Sequence, residues 1–360
     1  MRKMTLRSVK EADVAGKRVL VRVDFNVDVV NGKVVDDFRI RAALPTLELL
    51  HKGEAKKIVL LSHLGRPQGR DPQFDLVPVE KHLRELTTVP FELHENLRFD
   101  VREEKNDPEF ARQLAELGDL YVNDAFADSH REHTSIVGLA ALLPSYAGLN
   151  LESEVEHLLQ ALSPSHPALA IIGGAKFETK EPLLQKLLST YNKVLLGGVL
   201  GNDLLKARGL PVGTSLVAGV IAPTSLAGNE RLLSPVDLIV VGEGKGGRTS
   251  QTGDVRASEK IVDIGPQTAE AWSKEIAGAQ FVLWNGPMGV YEAGHTSGTD
   301  ALATAITNSA CRAVIGGGDT IAAIMKHTFD PEKVFLSTGG GAMLQFLIDG
   351  TLPGIEILKK

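Results

Sequence analysis

Ala168-Leu169-Ala170-Ile171-Ile172-Gly173-Gly174-Ala175-Lys176 is a short, unbroken apolar run that stops on two glycines and a lysine. The same arrangement returns downstream. Leu195-Leu196 runs into Gly197-Gly198, Leu283-Trp284 into Asn285-Gly286-Pro287, Ile315 into Gly316-Gly317-Gly318-Asp319-Thr320, and Leu336 into Ser337-Thr338-Gly339-Gly340-Gly341. A continuous apolar run of strand length fits a parallel strand covered on both faces. Such strands are expected at 168–172, 193–196, 236–241, 280–284, 312–315 and 333–336, with helical-period segments between them. That alternation makes βαβ units and an open parallel sheet.

In an open α/β sheet, ligands bind beyond the carboxyl ends of the strands. Glycine there lets backbone N–H groups approach a ligand, and helices starting just after the turn favour anions. Five such turns describe an anion site, most simply one for nucleotide phosphates. Gly173, Gly174, Gly197, Asn285, Pro287, Gly317, Gly318 and Thr320 are its candidate residues. Lys176 and Lys180 are four apart and share one face of a helix start, where two cations oppose the dipole unless an anion is present. Asp319 suits Mg²⁺ held with a nucleotide, which needs only one or two protein oxygens; a helix N-cap is its other reading. No P-loop occurs. Gly242-Glu243-Gly244-Lys245-Gly246-Gly247 matches a dinucleotide fingerprint, but turn-like residues 248–253 come next where that motif needs a helix, so it reads as a polar loop.

The first half alternates likewise. Strands are expected at 18–24, 57–62 and 119–123, with a weaker one near 89–93, and helices at 38–52, 76–86 and 107–117. Residues 28–35 form a hairpin on Asn31-Gly32. Here the strand ends carry Arg and His: Arg39, His63 and Arg66, Arg98, and His130 with Arg131. Arginines gathered at one sheet edge repel each other unless an anion sits among them, and Arg suits phosphate and carboxylate. A small anionic substrate is therefore expected on this half. Residues 150–162 form an apolar helical stripe broken by Ser163-Pro164-Ser165-His166-Pro167, a plausible link between two domains.

The chain has 360 residues, 43% hydrophobic and 23% charged, with a formal net charge of −6. Those values fit two domains of ordinary composition and do not fit a basic surface for nucleic acid or membrane. Cys311 is the single cysteine and reads as a small buried hydrophobe, so no intramolecular disulfide forms. The N-terminal residues lack an apolar signal core and no apolar stretch spans a membrane, so a soluble, cytoplasmic protein is expected.

Arg22-Val23-Asp24-Phe25-Asn26-Val27, Ser62–Pro67, Glu95–Phe99, Tyr121–Phe126 with His130-Arg131, Gly173–Lys176, Trp284–Val290, Gly316–Thr320 and Ser337–Ala342 together resemble the signature segments of phosphoglycerate kinases, in order along nearly the whole chain. The resemblance implies two doubly wound, Rossmann-like lobes: residues 1–149 for phosphoglycerate, 150–167 as connecting helix and hinge, 168–345 for nucleotide, and a tail, 346–360, returning to the first lobe. It implies phosphoryl transfer from 1,3-bisphosphoglycerate to ADP, giving 3-phosphoglycerate and ATP, with Mg²⁺, in a monomer. By position, Asp24, Asn26, Arg39, His63, Arg66, Arg98 and Arg131 bind the glycerate, with His130 as a further donor. Lys176, Lys180, Asn285, Glu292 and Gly317–Thr320 hold the nucleotide, Glu292 at the ribose and Asp319 at the metal. Arg39, Lys176, Mg²⁺ and the N–H groups of Gly339 and Gly340 carry the charge of the transition state. The chain departs from the family at Val199–Asn202, at Tyr291–His295, and at Ala127-Asp128-Ser129, which stands where the family has a Gly-Thr-Ala stretch.

Overall fold

The computed structural model describes residues 4–174, 181–218, 224–242 and 246–360. The chain divides into two compact units, Met1–Glu156 with Gly341–Lys360, and His157–Gly340. The division falls inside the helix Leu149–Leu162.

The first unit holds β1 (Arg18–Arg22), the hairpin β2 (Val29–Val30) and β3 (Lys33–Val34), β4 (Lys57–Leu61), β5 (Glu92–Leu93), β6 (Leu120–Asn123) and β7 (Ser145–Ala147). Its main sheet runs β5-β4-β1-β6-β7, with every pairing parallel. Strand alternation sorts the core. Val19, Val21, Ile58 and Leu60 point into one cluster with the helices Phe38–Lys52 and Val77–Leu86; Leu20, Val59 and Leu61 point into another with the helix Pro108–Ala115. β7 has only three residues, of mixed polarity, too short to show a period.

The second unit holds β8 (Ala168–Ile172), β9 (Lys193–Leu196), β10 (Leu232–Leu233), β11 (Asp237–Val241), β12 (Arg248–Gln251), β13 (Lys260–Ile264), β14 (Phe281–Asn285), β15 (Arg312–Gly316) and β16 (Val334–Ser337). The main sheet, again parallel, runs β10-β9-β8-β14-β15-β16. The five strands expected to end in glycine turns are thus consecutive in space. Ile172 sits beside Asn285 and Leu196, and Gly316 beside Asn285 and Ser337, so their turns open at one level of one edge.

One strand expected in that parallel sheet lies elsewhere. β11 pairs antiparallel with both β12 and β13, in a separate three-stranded sheet packed through Leu238, Val240 and Ile261 against Leu205 of the helix Gly198–Ala207. Its apolar run is real, but its partners are local. Residues 248–251, expected as turn, are extended, with Ser250 inward and Thr249 and Gln251 exposed. Asp319 is not an N-cap: Gly317 caps the helix Gly318–Ile324, and Asp319 lies in its first turn. No helix among the described residues is long and apolar enough to cross a membrane. Cys311 is buried.

The C-terminal residues close the first unit. Leu352, Ile355 and Leu358 are buried, Arg7 N–H donates to Leu358 O at 2.9 Å, and Gly354 N–H donates to Ser129 O at 2.9 Å. Ile355→Ala is expected to destabilise the first unit by about 2–4 kcal/mol, the cost of emptying a buried isoleucine site. Urea unfolding monitored by a probe in that unit measures it, and an unchanged midpoint would show that the tail adds nothing.

Candidate functional site

In the first unit the anion-binding candidates gather at the carboxyl ends of β1, β4 and β6. Arg39 Nη1 lies 3.0 Å from Asp24 Oδ2 and donates to Asn26 O at 3.1 Å. Asn26 N–H donates to Asp24 Oδ1 at 3.1 Å, while Asn26 Oδ1 accepts from Gly65 N–H at 2.8 Å. Gly65 O in turn accepts from Arg98 Nη1 at 2.6 Å. Gly65 has φ +64° and a Cβ there would meet the Phe74 ring at 2.2 Å, so the His63–Arg66 turn needs glycine at this point. Arg66 is exposed and has no hydrogen-bond or ion-pair partner among the described residues. Arg131 Nη1 pairs with Asp128 Oδ1 at 2.9 Å and is partly exposed.

Beneath these lies a sealed charge network. Arg22, 1% exposed, donates from Nε to Ser135 Oγ at 2.9 Å, from Nη1 to Val23 O, and from Nη2 to Asp128 Oδ2 at 3.1 Å. His63 Nδ1 lies 3.2 Å from Arg22 Nη2 and 3.3 Å from Asp128 Oδ2. Buried Glu103 accepts from Ser135 N–H at 3.0 Å and from Ser135 Oγ at 2.5 Å. Burial works to raise the Asp128 carboxyl, yet His63, Arg22 and Arg131 hold it well below the ordinary carboxylate range. Burial lowers the pKa of Arg98, with Arg131 adding to the fall. His130 is lowered by burial and then by Arg131, and its Nδ1 is buried without a partner among the described residues. His133 is pushed down to about 3 by burial and by Arg98 and Arg131. Guanidiniums crowded this closely repel one another, a repulsion that an anion among them would relieve.

Asp24, His63 and Asp128 bring one ligand atom each within 4.8 Å of one another, a spacing that suits a metal. Two guanidiniums already occupy those carboxylates, Arg39 on Asp24 and Arg22 on Asp128, so the set serves arginine and not a cation.

In the second unit the glycine turns of β8, β9 and β14 interlock. Gly173 N–H donates to Asn285 O at 2.8 Å, Gly197 N–H to Ile172 O at 3.0 Å and Gly198 N–H to Met288 O at 3.2 Å. A Cβ on Gly173 would stand 2.3 Å from Pro287 O; Gly286, at φ +98°, approaches Gly173 equally closely. Beside them opens a cleft of about 270 Å³ whose lining includes Gly174, Val199, Pro287, Met288, Glu292 and Asp319. It is mostly apolar, as suits the face of a planar base, with charged side chains at Lys260, Asp263, Glu292 and Asp319. The Asp319 carboxylate is exposed; among the described residues its one hydrogen bond comes from Tyr291 Oη at 3.4 Å, so it has room for a cation. Asp263 also lines the cleft, its carboxyl pushed up to about 6 by burial while it accepts Gly298 N–H at 2.9 Å.

Not every candidate faces a ligand. Thr320 is buried and its Oγ1 accepts Gly286 N–H at 2.7 Å, which makes it a brace for the β14 turn. Gly339 N–H already donates to Ser337 Oγ at 3.0 Å. Lys176 and Lys180 lie outside the described residues, as do residues 243–245 of the rejected dinucleotide match. The segment immediately after that match is the strand β12, not a helix. Sequence reasoning assigned no role to Arg22, Asp128 or His133. The i,i+3 spacing of Asp128 and Arg131 was a visible signal of pairing.

The family model for phosphoglycerate kinase matches residues 9–350. The chain is 41% identical over 390 residues to the phosphoglycerate kinase of Rubrobacter xylanophilus, covering 99% of both chains. It is 41% identical over 396 residues to that of Dictyoglomus turgidum, covering 100% of both. The solved phosphoglycerate kinase structure from Coxiella burnetii superposes with a TM-score of 0.84 at 37% identity, over 98% of this chain and 99% of that one. The Pyrococcus horikoshii structure gives 0.83 at 29% identity, over 98% of each.

Gly173→Ala is expected to cost about 1–3 kcal/mol, since the β8 and β14 turns must separate to admit a methyl group. It should weaken ADP binding along with thermal stability. A melting curve with and without ADP tests this; full stability together with full ADP stabilisation would contradict the packing.

Proposed function

The chain belongs to the phosphoglycerate kinase family, and on that premise we propose how its own residues divide the work. The reaction is reversible phosphoryl transfer between 1,3-bisphosphoglycerate with ADP and 3-phosphoglycerate with ATP. In our reading the first unit takes the acid. Arg39, Asn26 and Asp24 meet one end of it, and Arg66, Arg98 and Arg131 the other, with His63 and His130 as further donors. The observation that carries this reading is the gathering of Arg39, Arg98 and Arg131 at one sheet edge, where only Asp24, Asp128 and Glu104 among the described residues compensate them.

The second unit, in the same reading, takes the nucleotide. Its base lies in the apolar cleft by Val199 and Pro287, its ribose near Glu292, and its phosphates along the glycine turns. Lys176, Lys180 and Asn285 add positive charge or hydrogen bonds there, a role brought from the family resemblance. Mg²⁺, with Asp319 as its protein ligand, would neutralise charge on the nucleotide phosphates.

Phosphoryl transfer through a loose transition state needs in-line positioning and positive charge on the equatorial oxygens. Arg39 supplies such charge from the acid side. It waits in an ion pair with buried Asp24, donating also to Asn26 O, and among the described residues its other N–H groups have no partner. Gly339 can donate only by exchanging its Ser337 contact for the substrate. With acid and nucleotide held by different units, transfer requires the units to close on both, which also excludes water from the acyl phosphate. We further infer, from the family resemblance, a monomer that works in the cytoplasm.

A coupled assay of ATP formation from 1,3-bisphosphoglycerate and ADP tests the reading. Arg39→Ala should lower kcat by at least ~10²-fold, the usual effect of removing a transition-state donor; an unchanged kcat would remove Arg39 from the chemistry. Chelating divalent cations should abolish turnover, and Asp319→Ala should raise the Mg²⁺ concentration needed for half activity by about 10-fold or more. Normal turnover in excess chelator would exclude the metal role.

A further inference from the structure

We propose that Glu104 is a resident counter-charge on Arg98 that an incoming acid must displace, so that this one side chain sets how tightly the first unit holds its substrate. The inference rests on the assignment of the acid to the arginine cluster of that unit.

Three carboxylates compensate the cluster, and they differ in how firmly they are held. Asp24 is buried and paired with Arg39. Asp128 is buried and engaged by both Arg22 and Arg131. Glu104 has a side chain 57% exposed, and Arg98 is its one ion-pair partner among the described residues. Arg98 itself is only 6% exposed at its side chain. Burial opposes its charge most and Arg131 adds to that, while Asp128 and Glu104 favour it. With Asp128 committed elsewhere, Glu104 is the counter-charge of Arg98 that can leave.

The contact supplies charge without direction. Glu104 Oε1 lies 3.1 Å from Arg98 Nε, yet that buried N–H makes no hydrogen bond among the described residues. The guanidinium is aimed instead by Gly65 O, which accepts from Nη1 at 2.6 Å. Glu104 therefore neutralises Arg98 and does not orient it. The turn Glu103–Lys105 that carries Glu104 is anchored by its neighbour, because the buried Glu103 carboxylate accepts Ser135 N–H at 3.0 Å. The backbone thus stays at the cluster while the Glu104 side chain can swing into water, and an ion pair with one exposed partner costs little to open. Phosphate or carboxylate oxygens of an acid offer Arg98 the same charge with more acceptors. Two anionic groups on one guanidinium repel, so the acid binds in the fraction of molecules whose Glu104 has swung away. The apparent Kd is the intrinsic Kd divided by that fraction. The exchange moves no proton and changes no covalent bond.

The test is a double-mutant cycle, read by calorimetric titration of the full chain with 3-phosphoglycerate at low ionic strength. Glu104→Gln should bind the acid about 3–5-fold more tightly than the wild type, the gain expected from releasing an arginine from such a pair. In an Arg98→Ala background the same substitution should bring no gain, because the effect runs through Arg98. Glu109→Gln, which removes an equally exposed carboxylate from Arg112 outside the cluster, should bind as the wild type does. Thermal melts establish that each variant is folded, and the comparison of Glu104→Gln with Glu109→Gln decides the matter if Arg98→Ala binds too weakly to titrate. Unchanged affinity in Glu104→Gln overturns the proposal, and so does weaker binding, which would make Glu104 an aid to the site. An equal gain in Glu109→Gln, or a gain that persists without Arg98, also overturns it by placing the effect in overall charge. Failure of the wild type to bind the acid, or undiminished binding by Arg98→Ala, would instead overturn the site reading on which the proposal rests.

Discussion

A guanidinium buried at the end of a central strand must be paired, because an uncompensated buried charge costs several kcal/mol. Arg22 of β1 imposes that demand, and the first unit is organised around meeting it. Ser135, Asp128 and the carbonyl of Val23 take its donors, and Glu103 reaches the same network through Ser135. Ser135 and Asp128 follow β6 and Glu103 follows β5, so satisfying one arginine fixes the loop after β6 against the turn Glu103–Lys105. The consequence is functional. Asp128, drawn in by Arg22, also holds Arg131 and faces His63, which sets the surface where an acid would bind. The C-terminal residues lock the same loop from outside: Gly354 N–H donates to Ser129 O, and Phe346 packs edge-on to Phe126 at 6.2 Å.

The second unit meets a different constraint. Its parallel strands end level with one another, and their turns must pass within backbone contact distance. Gly173 and Gly286 make that passage possible, and Thr320 pins the Gly286 turn with its hydroxyl. The first unit gathers fixed side-chain charge at its sheet edge; the second gathers backbone donors and a mostly apolar cleft. That contrast matches the two substrates of a phosphoglycerate kinase, one a small acid rich in charge, the other a nucleotide with a planar base and a flexible polyphosphate.

Much of this was legible in the sequence. Buried parallel strands write themselves as apolar runs, so β1, β4, β6, β8, β9, β14, β15 and β16 were visible to within a residue or two, and the Arg and His residues at their ends stood out against an acidic chain. What stayed hidden has physical reasons. β11 carries the same apolar run as a main-sheet strand, and nothing local reveals that its partners are antiparallel neighbours. β12 is polar on its exposed face and resembles a turn. Asp128 looked like a loop substitution because its importance comes from Arg22, more than a hundred residues away. His133 takes its character from Arg98 and Arg131, which only the fold brings near it.

The central claim is that the acid belongs to the arginine cluster of the first unit and the nucleotide to the glycine edge of the second. A crystal structure with 3-phosphoglycerate and an ATP analogue bound together measures it most directly. The acid is expected in contact with Arg39, Arg98 and Arg131, and the base in the cleft beside Val199 and Pro287. An acid bound away from those arginines, or a nucleotide lodged in the first unit, would contradict it.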